Sequence, residues 1–177
     1  MNSEEERLVS ACVKHDQRAC KALYERFSNK MFGLCLRYCH SRQDAQDLLH
    51  DGFIKVFENL SDLTQDSHLE SWIRKVMINT VISHHRSNAI REFKSIEDVP
   101  DEMELSICDY DRYDIECIMN AIRRLPDNYR LVFNLHEIEG YTYEELAHLL
   151  GISNSGVRSL CFRAKNRLAT MLTEFDD

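Results

Sequence analysis

Glycine and proline are scarce in these 177 residues, with five of the first and two of the second. That excludes the closely spaced tight turns of a β-sandwich or barrel. Plentiful Leu, Ile, Arg, Glu and Ala favour helices instead. No run of ~18 or more apolar residues occurs, so no membrane span is expected. The opening Met1-Asn2-Ser3-Glu4-Glu5-Glu6 is acidic and polar, the opposite of a secretory leader. The seven cysteines (Cys12, Cys20, Cys35, Cys39, Cys108, Cys117, Cys161) are odd in number and never spaced C-x-x-C, which disfavours a disulfide framework or zinc site. Cys35 and Cys39 fall four apart on an apolar helix, but small buried hydrophobes in a reducing compartment explain them better. A glycine-rich phosphate loop, an activated nucleophile arrangement and H-E-x-x-H are also missing. An enzyme using Cys35, Cys39, His40 or His50 therefore has no support, and no catalytic residue, cofactor or metal is expected. His136-Glu137 reads as an isolated structural pair. The expectation is a soluble cytoplasmic protein.

The net charge is −8, and its location matters more than its size. Between Ser95 and Glu116 stand nine acids against one cation, Arg112, which equals the whole imbalance. Arg74 to Lys94 holds five cations against Glu92, and Arg158 to Arg167 holds four cations and no acid. Two basic segments separated by an acidic strap suggest a two-part binder of a polyanion.

Apolar spacing divides the chain further. Ala22, Leu23, Phe27, Met31, Leu34, Cys35 and Tyr38 recur at steps of three and four, as on a helix. From Asp44 to Leu60 a second helix buries Leu49, Phe53, Val56, Phe57 and Leu60 and leaves Asp44, Asp47 and Asp51 on an acidic side. Ser61 to Glu70 is polar and turn-like. A third helix runs from about Leu69 through His85, with Trp72, Ile73, Val76, Met77 and Ile82 as core candidates. The acidic segment around Pro100 has no apolar period and reads as an extended linker. From about Tyr113 a second helical group begins, interrupted at Pro126-Asp127 and at Gly140. The expected architecture is all-α, two small helical domains (1–92 and 115–177) joined by an acidic linker (93–114).

The most informative stretch is Tyr141 to Leu160. Thr142 and Glu145 form a T-x-x-E capping box that starts a helix, and Leu146, Leu149 and Leu150 make its apolar stripe. Ala147 is small enough for a second helix to approach. Gly151 suits a left-handed helix end, Ile152 plugs the corner, and Ser153 can cap the next helix. Val157 and Leu160 face inward on that helix. Outward lie Asn154, Ser155, Arg158, Ser159, Phe162 and Arg163, with Lys165 and Arg167 beyond. This is a helix-turn-helix whose second helix is basic, suited to the DNA major groove with its later cations on phosphates.

These residues resemble the extracytoplasmic-function group of bacterial sigma factors. Asp44-Ala45-Gln46-Asp47-Leu48-Leu49-His50-Asp51-Gly52-Phe53-Ile54-Lys55-Val56 is similar to D-A-E-D-L-x-Q-D-x-F-x-K-V. Leu69-Glu70-Ser71-Trp72-Ile73-Arg74-Lys75-Val76-Met77-Ile78-Asn79 resembles F-x-x-W-L-x-x-I-A-x-N. Leu125-Pro126, the helix-turn-helix and Val157-Arg158-Ser159-Leu160-Cys161-Phe162-Arg163-Ala164-Lys165 resemble the third block, V-K-S-R-L-x-R-A-R.

The resemblance implies a subunit that binds core RNA polymerase and promoter DNA, with an anti-sigma factor as inhibitory partner. By it, Asp44, Asp47, Leu48, Asp51 and Phe53 meet a coiled coil of the polymerase's largest subunit. Asn79, with Ser83 one turn later, is a candidate to capture bases of the opened −10 element. Arg74, Lys75, His84, His85 and Arg86 would contact phosphates or stack. Ser155, Arg158, Ser159, Phe162, Arg163, Lys165 and Arg167 would meet the −35 element. Trp72, amid Ile73, Val76 and Met77, is expected in the core. Leu63 replaces a frequent aromatic, which weakens the case for base stacking by its loop. Leu160 replaces a usual arginine and Cys161 a usual leucine or isoleucine, implying altered specificity or a lost phosphate contact. Gly156, where threonine is common, loosens the early recognition helix by ~1 kcal/mol relative to alanine. The main alternative is a stand-alone helix-turn-helix regulator with a helical sensing domain.

Overall fold

A computed structural model describes residues 1–64, 68–93 (side chains to 85) and 114–173. Eight α-helices run through the described residues: α1 Ser3–Val13, α2 Gln17–Tyr38, α3 Arg42–Glu58, α4 Leu69–Phe93, α5 Ile115–Arg124, α6 Asp127–Phe133, α7 Tyr143–Leu150 and α8 Asn154–Thr173. A 3-10 turn, Leu60–Asp62, follows α3, and α6 continues into a π-helical segment, Asn134–Ile138. The described residues contain no strand. The chain divides into two compact units, Met1–Val81 and Ile82–Asp177, a division that falls inside α4. Most of the expected linker, residues 94–113, lies outside the described residues.

In the first unit the helix starts follow local chemistry. Asn2 and Glu5 form a capping box on α1, Asp16 accepts from the Ala19 amide, and Ser41 accepts from the Asp44 amide, satisfying amides a helix start leaves open. α2 buries Leu23, Phe27, Met31, Leu34, Cys35 and Tyr38, the expected stripe apart from Ala22, which is exposed. α3 packs along α2 with Ala45, Leu48, Leu49, Gly52, Phe53 and Val56 inward. Phe53 joins Tyr24 at 4.7 Å between ring centroids and Phe57 at 6.1 Å. Gly52 brings α3 close to α4: a Cβ there would lie 2.2 Å from Met77 Sδ, and Met77 is buried. Ile73 and Met77 are buried as expected, as is Ile82 at the start of the second unit, whereas Trp72 and Val76 are only half-buried. Burial of their surroundings pushes the Cys12 and Cys35 thiols up to about 12, so near neutral pH neither is a thiolate.

In the second unit α5, α6 and α8 close around Ala121, Ile122, Leu125, Phe133, Ala164, Leu168, Met171 and Leu172. Each fully buried large apolar side chain stabilises by ~1.5–3 kcal/mol. The break at Leu125-Pro126 is organised by Arg130, which is 1% exposed. Its Nη1 donates to the carbonyls of Arg123 (2.9 Å) and Leu125 (3.2 Å), and its Nη2 meets the Asp127 carboxylate. A guanidinium thus occupies the carbonyls that α5 leaves open at its end. The Glu139 amide donates to the Asn134 carbonyl at 2.9 Å, the five-residue step of the π segment.

Candidate nucleic-acid interface

The turn between α7 and α8 takes the expected form. Thr142 Oγ1 accepts from the Glu145 amide at 3.2 Å, and Glu145 Oε2 accepts from the Thr142 amide at 2.8 Å. The Thr142 hydroxyl also donates to Glu145 Oε2 at 2.9 Å, and the bonds from the Thr142 amide first and its hydroxyl second hold the Glu145 carboxyl below its ordinary pKa. Gly151 ends α7 in the left-handed region at φ 70° and ψ 33°. Ser153 Oγ then accepts from the Gly156 amide at 3.0 Å. A Cβ on residue 156 would stand 3.0 Å from that same hydroxyl oxygen, so glycine leaves the cap unobstructed. Leu146, Leu150, Val157, Leu160, Cys161, Ala164 and Leu168 are buried, while Leu149 and Ala147 are half-buried.

On α8, Ser155, Arg158 and Arg167 are exposed, and Asn154, Phe162 and Arg163 are half-buried. No acid stands anywhere from Asn154 to Thr173, so the exposed face of the helix is uniformly cationic or neutral. Two expectations need correction. Ser159 is 3% exposed, and a buried hydroxyl does not reach a base edge. Lys165 Nζ lies 2.7 Å from Glu137 Oε1, so its ammonium is bound within the chain rather than held out for a phosphate. Burial lowers the Lys165 pKa, but the hydrogen bond and charge of Glu137, with Tyr143 and Cys161, outweigh it and the net shift is upward. His136-Glu137, expected to be structural, braces the helix-turn-helix from the π segment through Tyr143 and Lys165. Leu160 and Cys161 are core residues, so their departures from the family pattern change packing, not the outward face. Burial pushes the Cys161 thiol up to about 12.

In the first unit an open cleft of about 350 Å³ is lined by Lys55, Asn59, Asp62, Trp72, Lys75, Val76 and Asn79. Trp72 thus belongs to a cleft wall and not to the core, because the end of α3 and the turn after it leave that side of α4 open. The cleft offers an aromatic edge, two amides, two cations and one carboxylate, Asp62. Arg74 is half-buried, and Lys75, Asn79, Ser83 and His84 are exposed along α4. His85 is 8% exposed, which removes it from the phosphate-binding candidates. The Arg86 side chain lies outside the described residues.

On α3, Asp44, Asp47 and Asp51 are exposed. Asp44 Oδ2 accepts from Ser41 Oγ at 2.7 Å, and Asp47 Oδ1 accepts from Gln43 Nε2 at 3.2 Å. Leu48 and Phe53 are 3% and 2% exposed. They hold α3 in place and present no surface to a partner, correcting the expectation for both. The apolar surface beside the acids is instead Ile54, 55% exposed, seven residues after Asp47 and three after Asp51. That spacing, an apolar residue on the polar face, was the signal available for it.

Residues 23–90 match the family model Sigma-70 region 2, and residues 115–168 match Sigma-70, region 4. The RNA polymerase sigma-H factor of Pseudomonas aeruginosa is 28% identical over 178 residues, covering 93% of this chain and 92% of that protein. The ECF RNA polymerase sigma-E factor of Escherichia coli is 26% identical over 176 residues, covering 91% and 90%. The chain belongs to the extracytoplasmic-function sigma factors. Another relative, the sigma factor SigZ of Bacillus subtilis, is 27% identical over 154 residues and 85% of each chain. Among solved structures, the sigma factor RpoE in complex with the anti-sigma factor NepR from Bartonella quintana shares the fold. Its TM-score is 0.53 at 22% identity, covering 86% of this chain and 96% of that one. As a sigma factor the chain gives RNA polymerase its choice of promoter. Region 2 spans α3, the cleft and most of α4, and region 4 ends on the α7–α8 helix-turn-helix. A sensing domain joined to a DNA reader is not favoured by matches that cover both units.

Proposed function

We propose a division of labour along the sigma factor. Residues 1–92 bind core polymerase and the −10 element, residues 93–114 form an acidic linker, and residues 115–177 bind the −35 element. On α3 the docking surface is Asp44, Asp47, Asp51 and the exposed Ile54, a charge pattern suited to a basic, partly apolar helix. On α4 the −10 surface is Arg74, Lys75, Asn79, Ser83, His84 and Arg86. The cleft beside Trp72 and Asn79 would receive a base of the opened strand. Separating a base-pair step costs ~1.4 kcal/mol on average, and stacking or edge hydrogen bonds to a flipped base offset it. On α8 the −35 surface is Ser155, Arg158, Phe162, Arg163 and Arg167. One bidentate arginine on guanine supplies ~1–3 kcal/mol of discrimination.

The observation that carries this reading is the acid-free exposed face of α8, set on a left-handed Gly151 turn. The chain would act in the cytoplasm as an initiation subunit without chemistry of its own. Among the described residues no helix is long and apolar enough to cross a membrane. An anti-sigma partner is supported by the related fold captured with one.

Co-elution with bacterial core RNA polymerase on a sizing column tests the first half. Stoichiometric binding is expected, with loss on Asp51→Arg or Ile54→Asp. Arg158→Ala and Arg163→Ala should keep polymerase binding and weaken −35 recognition. If all four variants lose both activities, the division of labour is wrong. Absence of polymerase binding by the folded wild-type chain would favour a stand-alone regulator.

A further inference from the structure

Arg158 does not stand alone on α8. Its guanidinium carbon lies 5.6 Å from the ring centroid of Tyr143, the first residue of α7. The same ring stacks on His136, with centroids 4.2 Å apart and planes at 25°. His136 is itself fixed, because Nδ1 lies 2.7 Å from the Tyr141 carbonyl, a contact that places a proton on Nδ1. Its Nε2 is 3.6 Å from Glu137 Oε1, and that carboxylate also holds Lys165. Thr142, immediately before Tyr143, is tied down by the capping box. The Tyr143 ring is therefore held from α7, from the π segment and, through Glu137, from α8.

An arginine side chain loses rotamer entropy when it is ordered on binding, which weakens the complex. A ring that already holds the guanidinium removes part of that loss. Tyr143 is half-buried. Burial raises its pKa foremost, with Cys161 and Glu137 adding and Lys165 and Arg158 opposing, so the ring next to Arg158 is a neutral phenol.

We propose that Tyr143 is a positioning residue for −35 readout, holding the Arg158 guanidinium over its ring so that Arg158 meets its base pair preordered. This rests on the reading of α8 as the recognition helix. The cation–π contact of an exposed arginine corresponds to about 2- to 5-fold in affinity. Tyr143 thereby sharpens selectivity at one promoter position through another side chain.

The test uses holoenzyme reconstituted from the full chain and core polymerase, scored on promoters with each −35 position varied in turn. Arg158→Ala is expected to relax one position. Tyr143→Leu should relax that same position about 2- to 5-fold and leave the others alone, while Tyr143→Phe stays like wild type. Adding Tyr143→Leu to Arg158→Ala should change nothing more at that position. Phenylalanines with increasing numbers of ring fluorines at 143 keep the shape and weaken the ring's negative face. They should relax the position stepwise, which a purely structural role would not do, and they serve even if Tyr143→Leu does not fold. If the fluorinated series is flat, or selectivity falls equally at every position, the positioning role is overturned while the reading of α8 stands. If Arg158→Ala relaxes no position, both fail together.

Discussion

Arg130 offers the sharpest test of how the second unit is held together. Substitution Arg130→Met keeps the apolar stem and volume but removes the donors to the Arg123 and Leu125 carbonyls. Hydrogen bonds to a charged group contribute ~1.5–3 kcal/mol each. Because one of the two carbonyls is only part-buried, the low end applies and the pair is worth about 3 kcal/mol. The Asp127 carboxylate is 47% exposed, so its pairing adds no more than ~1 kcal/mol. For a unit of this size, Ile82–Asp177, each kcal/mol shifts Tm by ~4–8 °C, giving a fall of about 12–24 °C. The assay separates the units in the intact chain. Trp72, the single tryptophan, reports the first unit by fluorescence, and circular dichroism reports helices in both. Arg130→Met should lower part of the dichroism transition and leave the fluorescence transition in place. Arg130→Lys, with one compact donor group, should fall between. An unchanged dichroism melt would refute the capping role, and an equal shift in both signals would refute its assignment to the second unit alone.

Two further outcomes depend on single atoms. Gly52→Ala would stabilise α3 by ~0.5–1 kcal/mol if helix propensity decided, but the clash with buried Met77 predicts overpacking of ~1–3 kcal/mol and a net loss. In a Met77→Ala background the sign should reverse, as read by urea denaturation followed through Trp72; a loss of the same size in both backgrounds would discard the contact. The Glu145 carboxyl has its pKa lowered by the Thr142 amide and hydroxyl. Its contribution is therefore present above the ordinary value of 4.5 and disappears as pH falls through the depressed one. Wild type and Glu145→Gln should differ in the melting of the second unit near neutrality and converge in acid, and a difference independent of pH would exclude the capping carboxylate as its source.

Elements with a strong period or a signalled end were readable from residue order. α2 shows its stripe at steps of three and four, and the α7–α8 turn is announced by Thr142, Glu145, Gly151 and Ser153, each of which takes the predicted position. Trp72 was harder, since its neighbours Ile73 and Met77 are buried and only the course of the turn after α3 opens a cleft at its side. The π segment after α6 and the inward Arg130 were not readable at all. An arginine reads as surface until the carbonyls that receive it are placed in space.

The site was legible in its helices and less so in its side chains, for one physical reason. A motif names positions, but packing and intrachain pairing decide which of them remain available to a partner. Leu48 and Phe53 sit inside a docking motif yet share the period of Ala45, Leu49 and Val56, and the core takes them. Ile54 breaks that period and is left outside. Lys165 belongs to the basic stretch of α8 but meets Glu137, 28 residues earlier, at 2.7 Å, a pairing no local pattern announces. For DNA to use that ammonium, a phosphate would have to displace a carboxylate already in contact. Arg158 rests on a neutral ring and, among the described residues, pairs with no anion. On the proposed reading of α8 as a recognition helix, Arg158, held by the weaker intrachain partner, is therefore better placed than Lys165 to discriminate bases, with the Tyr143 ring beneath it.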